Sequence, residues 1–221
     1  MNLSKSLEYF DPINQVKESI HIIGIGAMGS RVAELIARLG VTKLHIWDMD
    51  TVEDKNITNQ VYYHHQIGML KTDALEEILK DINPQIKVYK HGAYTDQALS
   101  GYIFLNVDSI ELRHKIASSN RDNQYIKAMF DCRMRLEDAQ SYAAKWDDEY
   151  QKNMFISSME FTDEEATAAT PVSACGTTLS VASTVVSTAA FTVSNFINLI
   201  RKQEVSSMIF TDAFNYTITK F

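Results

Sequence analysis

The stretch from His21 to Asp50, HIIGIGAMGSRVAELIARLGVTKLHIWDMD, constrains the fold of this chain more than any other segment. An apolar run enters Gly24-Ile-Gly26-Ala-Met-Gly29, a helical pattern follows, and a second apolar run ends on Asp48-Met-Asp50. In a strand–turn–helix unit of this kind, Gly24 permits the tight turn and Gly26 lets a pyrophosphate approach the backbone. Gly29 lets helix and strand pack closely. The helix N-terminus then offers free N–H groups and a partial positive charge to phosphate. Asp48 lies nineteen residues past Gly29, where a carboxylate can hydrogen-bond a ribose hydroxyl. The pattern predicts a nucleotide-binding unit and leaves the nucleotide open.

The same rhythm continues. A helix over Ser30–Leu39 is closed by Gly40, and Lys43–Trp47 reads as the second strand. After a polar, irregular stretch from Thr51 to His65, Ile67–Ile82 has helical spacing and Gln85–Lys90 alternates as a third strand. Tyr102–Asn106 is the fourth strand, Ile110–Asn120 the next helix and Tyr125–Asp131 the fifth strand. This β-α-β order predicts a Rossmann-like α/β fold, with a mostly parallel sheet and helices on both faces. Ala139–Lys145 extends the sheet, and Met208–Asp212 with Tyr216–Thr219 forms a C-terminal antiparallel extension. The expected organisation is a single domain over 1–221, with an N-terminal arm over 1–20 and an acidic, mobile crossover loop over 147–170.

Bulk properties narrow the function. A chain of 221 residues with net charge −7 has no basic surplus for duplex nucleic acid. Cys132 and Cys175 are the only cysteines and lack CxxC spacing, so no zinc site is expected. The stretch MNLSKSLEYFDP has no apolar signal core, which points to the cytoplasm. Ala166 to Ile200 carries no charge, yet it is rich in Ser and Thr. Val181, Val185, Ala189, Val193, Ile197 and Ile200 form a stripe at helical spacing, which suits a core or subunit interface better than lipid.

The segment after the glycine turn is more specific. Asp48-Met-Asp50-Thr-Val-Glu-Asp-Lys-Asn56-Ile-Thr-Asn59-Gln60 precedes Ile67-Gly68-Met-Leu-Lys71 and then Ile82-Asn83-Pro84. This resembles the adenylating family of ubiquitin-activating enzymes and of the sulfur-carrier activators ThiF, MoeB and HesA. That family reads GxGxxG, DxDxVxxxNxxRQ, IGxxK and INP at these separations. Asp108-Ser-Ile-Glu-Leu-Arg113 is similar to its D-N-x-x-x-R. The resemblance implies ATP- and Mg²⁺-dependent activation of a C-terminal carboxylate on a small ubiquitin-like (β-grasp) protein or peptide, by a homodimer. It implies Gly24, Gly26, Gly29, Asp48, Asp50, Asn56 and Asn59 as nucleotide-binding positions. Asp48 takes the ribose, Asn56, Gln60 and Lys71 the phosphates, and Asp108 the Mg²⁺. Lys71, Gln60 and Asp108 would carry catalysis.

Each residue also has a plainer reading: Lys71 as a solvated lysine opening a helix, Asp108 as a helix N-cap, and Asn56 as a turn residue. Asp50 would cap a loop, and Arg113 would pair with a carboxylate on the helix surface. The chain departs from the family pattern in two places. Asn59 stands where the family has arginine, and residues 1–20 hold only Lys5 and Lys17, with no arginine before Arg31. Two charge-assisted phosphate contacts, each worth about 1.5–3 kcal/mol, are thus missing. Lys55, Arg133 and Arg135 are candidate replacements. Short ThiF-like proteins of phages and plasmids are similar in carrying NQ here. Cys175, ahead of a helix, is the candidate nucleophile for passing an acyl group to sulfur, against a packing role. Cys132 follows a core strand and suits that role less. The six histidines suggest no metal site. A catalytically degenerate partner subunit is the alternative function. The glycine turn alone also fits an NAD-dependent oxidoreductase, in which the NITNQ and IGMLK segments have no role.

Overall fold

The structure is a computed structural model and describes residues 1–174 and 179–221. One eight-stranded sheet in the order β3-β2-β1-β4-β5-β6-β7-β8 forms its centre. Five strands are parallel: β1 (Ile20–Ile23), β2 (Lys43–Trp47), β3 (Lys87–His91), β4 (Gly101–Leu105) and β5 (Ile126–Met134). Then β6 (Asp138–Lys145), β7 (Met208–Asp212) and β8 (Thr217–Lys220) continue it antiparallel. The mixed α/β architecture and antiparallel end agree with the sequence reading.

Strand periodicity separates two cores. From β1, Ile20 and Ile22 face α2 (Ala27–Arg38), α3 (Lys71–Ile82) and α7 (Ala182–Lys202), where Val32, Ile36, Leu75, Leu79, Val193 and Phe196 bury. Ile23, Ile103 and Leu105 face α4 (Ile110–Ser119) and α5 (Glu149–Ser157) with Trp146 and Phe155. α7 has the length and apolarity of a membrane span, but in the fold Val185, Ala189, Val193, Phe196 and Leu199 join the first core. Its hydroxyls are satisfied inside: Thr188 and Thr192 donate back one turn, and Thr184 donates to the Leu136 carbonyl at 2.9 Å. A helix this rich in threonine therefore packs in a core without orphaned hydroxyls.

Within the expected N-terminal arm, Pro12 opens a short helix, α1 (Pro12–Gln15), with Asp11 as its N-cap. Two places differ from the sequence reading. The third helix begins only at Lys71, because Gly68 sits at φ +88° and Leu70 pairs with Thr51 in an isolated bridge. Residues 147–170 hold α5 and α6 (Asp163–Ala168), capped by Asp148 and by a Thr162–Glu165 capping box. Their short length and acidic surface hide the helical period, while Phe155 and Met159 anchor the segment in the second core.

Candidate active site

The chain winds from β1 to β2 and β3 on one side and returns to β4 and β5 on the other, so a crevice opens beyond β1 and β4. Gly24, at φ +85°, leaves β1 against the chain leaving β4: a Cβ there would lie 2.6 Å from the Asn106 carbonyl oxygen. A Cβ on Gly29 would lie 1.9 Å from the Gly24 carbonyl oxygen, which makes this helix–strand contact specific to glycine. Gly26 is different. Nothing lies within 4 Å of a Cβ built there, and as N-cap of α2 it leaves the helix with no side-chain cap. The first turn of α2 thus presents uncapped N–H groups beside open space, as an anion cradle requires.

The turn is braced from two sides. Asp48 Oδ2 accepts the Ile25 N–H at 3.0 Å and Oδ1 accepts the Asp50 N–H at 2.9 Å. With about four lone-pair sites, that carboxylate keeps capacity for a ribose hydroxyl. Opposite it, buried Tyr62 donates its hydroxyl to the Ile25 carbonyl at 2.8 Å. Burial raises the Tyr62 hydroxyl well above its usual range, and Asp48 and Asp50 add to the effect.

Lys71 is the first residue of α3 and is buried, not solvated. Its Nζ lies 2.9 Å from Asp50 Oδ2, and its N–H donates to the Asp50 carbonyl at 2.9 Å. A cation at a helix N-terminus opposes the helix dipole. Asp50 offsets that cost, so Asp50 holds the lysine rather than merely ending a loop. Asn56 is buried, and its Oδ1 accepts the Glu53 N–H at 2.8 Å, closing a capping box as the turn reading has it. Asn59 donates to Ser180 Oγ at 3.0 Å. Among the described residues Gln60 Oε1 is buried without a partner, as is Nε of Arg31, whose Nη2 reaches the Gln60 carbonyl at 3.4 Å.

Asp108 lies just beyond β4, exposed. The cap of α4 belongs to Ser109, which accepts the Leu112 N–H at 3.0 Å, and to Asp163, which accepts the Ile110 N–H at 2.6 Å. The N-cap reading of Asp108 therefore falls away, and its carboxylate has no hydrogen-bond partner among the described residues.

A sequence profile of the ThiF family matches residues 13–220. The chain belongs to the ThiF family. Ubiquitin-like modifier-activating enzyme 5 of Arabidopsis thaliana is 40% identical over 77 residues, 34% of this chain and 18% of that protein. The Oryza sativa enzyme of that name is 44% identical over 68 residues, 31% and 16%. The matched stretch is thus less than a fifth of the length of these relatives. Among solved structures, PaaA superposes with a TM-score of 0.73 at 18% identity over 95% of this chain and 75% of that one. A structure of E. coli MccB with ATP gives 0.67 at 16% identity over 93% and 63%.

The substitutes proposed for the missing arginines of this ThiF-family chain do not face the crevice as free cations. Arg133 donates to Asp131 at 2.6 Å and to the Ser158 carbonyl at 2.6 Å, and lies over the Tyr142 ring at 4.3 Å. Arg135 pairs with Asp138 at 3.0 Å and Lys55 with Glu53 at 3.0 Å. Arg113 does pair with a carboxylate, but not on the helix surface. It is buried, bonds Asp131, and donates to the carbonyls of Val107 at 2.6 Å and Cys132 at 2.7 Å. The cause in both cases is Asp131, fully buried at the sheet's carboxyl edge, where it needs two guanidinium partners.

Cys175 lies outside the described residues. Cys132 is buried, its thiol is pushed up to about 11 by burial, and it packs against Thr192. His21, His45 and His91 stack across β1, β2 and β3 with Trp47 and Tyr89, and burial lowers all three. Among the described residues, no group of three or more His, Cys, Asp or Glu side chains is arranged to hold a metal ion. Sequence reasoning overlooked Tyr62, Asn106, Asp131 and Asp163. The one available signal was a polar Asn106 closing an otherwise apolar strand.

Proposed function

We propose that this chain is an ATP- and Mg²⁺-dependent adenylyltransferase. It activates the C-terminal carboxylate of a small ubiquitin-like protein or peptide, and it acts as a homodimer. The observation that carries the proposal is the meeting, at the carboxyl ends of β1, β2 and β4, of the open cradle at Gly26, Asp48, buried Lys71 and Asp108, which has no hydrogen-bond partner among the described residues. The residues present fit a nucleoside triphosphate: the cradle has room and uncapped donors, and the buried Gln60 Oε1 and Arg31 Nε lack partners among the described residues. Crystal structures of MccB with ATP and with MccA belong to the same fold and support the reading.

In the reaction, a carboxylate oxygen bonds to the α-phosphorus while the bond from that phosphorus to the leaving pyrophosphate breaks. Asp48 holds the ribose, and the α2 N-terminus takes phosphate oxygens. Lys71, held ready by Asp50, moves its point charge to the α-phosphate as negative charge accumulates there. Asp108 would offer Mg²⁺ a carboxylate oxygen, and the ion would neutralise phosphate charge. The chemistry is mainly positioning and charge neutralisation.

Incubated with Mg²⁺, ATP, labelled pyrophosphate and peptides ending in Gly-Gly, the protein is expected to exchange label into ATP only when a peptide carboxylate is present. Lys71→Ala is expected to lower the exchange rate by about 100-fold. Exchange at the full rate in that variant would sink the assigned role of Lys71. The bond from Asn59 to Ser180, where an arginine would have met phosphate, favours a second reading: a degenerate partner that binds nucleotide without turnover. Calorimetric binding of Mg²⁺–ATP without exchange on any carboxylate would select that reading.

A further inference from the structure

Asn106 is a buried polar side chain that the roles above leave unused. It is 6% exposed, and neither its Oδ1 nor its Nδ2 has a hydrogen-bond partner among the described residues. The backbone is not the cause, since the Asn106 N–H donates to the Ile23 carbonyl at 2.7 Å and extends the β1–β4 ladder. Buried amides are satisfied by protein, ordered water or ligand, and an orphaned one costs stability. An apolar residue of the same size would avoid that cost here, so the amide calls for a ligand.

Its place in the sheet says which end of a ligand it meets. Tyr102 and Phe104 pack edge-on against Phe196 of α7. Asn106, two residues on from Phe104, falls on that same face, which also carries α2 and its uncapped N-terminus. Asp48 ends β2, the glycine turn ends β1, and Asn106 follows β4. Strands lie about 4.8 Å apart, so Asp48 and Asn106 stand about 10 Å apart across the crevice. With ribose on Asp48 and phosphates at α2, the adenosine half lies toward β2. Asn106 then stands on the other side of the phosphates, two residues from Asp108, where the attacking carboxylate enters.

The two orphaned atoms restrict the chemistry. Nδ2 needs an acceptor and Oδ1 needs a donor. Phosphate and carboxylate oxygens only accept, so either would leave Oδ1 unpaired. The N–H and C=O of one trans peptide unit point apart, but a single residue of extended backbone presents its own N–H and C=O on the same side. We infer that Asn106 reads the penultimate residue of the acyl substrate, with Nδ2 donating to its carbonyl and Oδ1 accepting its N–H. The site thereby selects a peptidyl carboxylate over an acid that lacks a neighbouring amide. This inference rests on the adenylation reading above.

The test compares pyrophosphate exchange on a short peptide ending in Gly-Gly with its ester analogue, in which oxygen replaces the N–H of the penultimate glycine. The wild-type protein is expected to prefer the peptide in kcat/KM by at least about tenfold. Asn106→Leu, which removes the orphaned atoms while filling their space, is expected to keep or raise the melting temperature and to bring the ratio near one. A peptide-to-ester ratio unchanged in Asn106→Leu would overturn the inference alone, leaving water as the partner of Asn106. A wild-type protein that exchanges on neither substrate would overturn the adenylation reading and this inference with it.

Discussion

Gly29→Ala is expected to yield a protein destabilised by about 3 kcal/mol or more that no longer binds nucleotide measurably, as followed by denaturant unfolding and calorimetry with ATP. The added Cβ would sit 1.9 Å from the Gly24 carbonyl oxygen and 3.2 Å from the Ile22 side chain. No flexible side chain can yield there, because the nearest atom is backbone already fixed by the Gly24 N–H bond to the Trp47 carbonyl at 2.9 Å. Either α2 lifts from the sheet or the turn distorts, and both outcomes displace the N–H cradle. Gly26→Ala is the control that separates stability from binding. Its Cβ meets nothing within 4 Å and its φ is −71°, so unfolding should shift by less than about 1 kcal/mol. The methyl group would occupy the space that a phosphate needs, so affinity for ATP is expected to fall at least about tenfold. Equal loss of stability in both variants would contradict the assignment of Gly26 to ligand and Gly29 to packing.

Asp131→Ala is expected to cost about 3–5 kcal/mol, measured as a drop in unfolding free energy. The carboxylate is fully buried and binds two guanidinium groups, so its loss would leave buried Arg113 and part-buried Arg133 without a counter-charge. The consequences extend to the crevice. Arg113 holds the Val107 carbonyl, one residue before Asp108, and Arg133 holds Ser158 at the end of α5. Asp131 therefore ties the strand end carrying Asp108 to the 147–170 segment, whose Asp163 caps α4 from the other side. Asp131→Asn, which keeps the shape and one acceptor oxygen, is expected to lose less than the alanine variant. An alanine variant as stable as the wild type would show that both arginines find solvent or other partners.

The parallel half of the sheet was legible in the sequence because each buried strand is a short apolar run bounded by turn residues. The glycine turn was legible because three glycines at fixed spacing meet three separate steric demands, and Gly24 and Gly29 do so in the structure. Asp48 followed from its place at a strand end. What stayed hidden depends on contacts distant in sequence. Lys71 reads as a surface lysine until Asp50, twenty-one residues earlier, is seen to hold it. Arg133 reads as a free cation near the ligand edge until Asp131 and Ser158 engage it. The helices α5 and α6 are short, and their burial rests on a few residues such as Phe155 and Met159, too few to imprint a period. Asn106 carries no pattern at all; only its unpartnered burial marks it.

The central claim is that a substrate carboxylate attacks the α-phosphate of ATP in the crevice between β1 and β4. Its most direct measurement uses a peptide whose C-terminal carboxylate is labelled with ¹⁸O, turned over with Mg²⁺ and ATP, with the products read by mass spectrometry. Attack at the α-phosphate leaves a carboxylate oxygen on that phosphorus, and water or added hydroxylamine attacking the carbonyl carbon then breaks the acyl–oxygen bond, so the account predicts AMP carrying one ¹⁸O and unlabelled pyrophosphate. Unlabelled ADP together with ¹⁸O-labelled inorganic phosphate would place the attack at the γ-phosphate and contradict it.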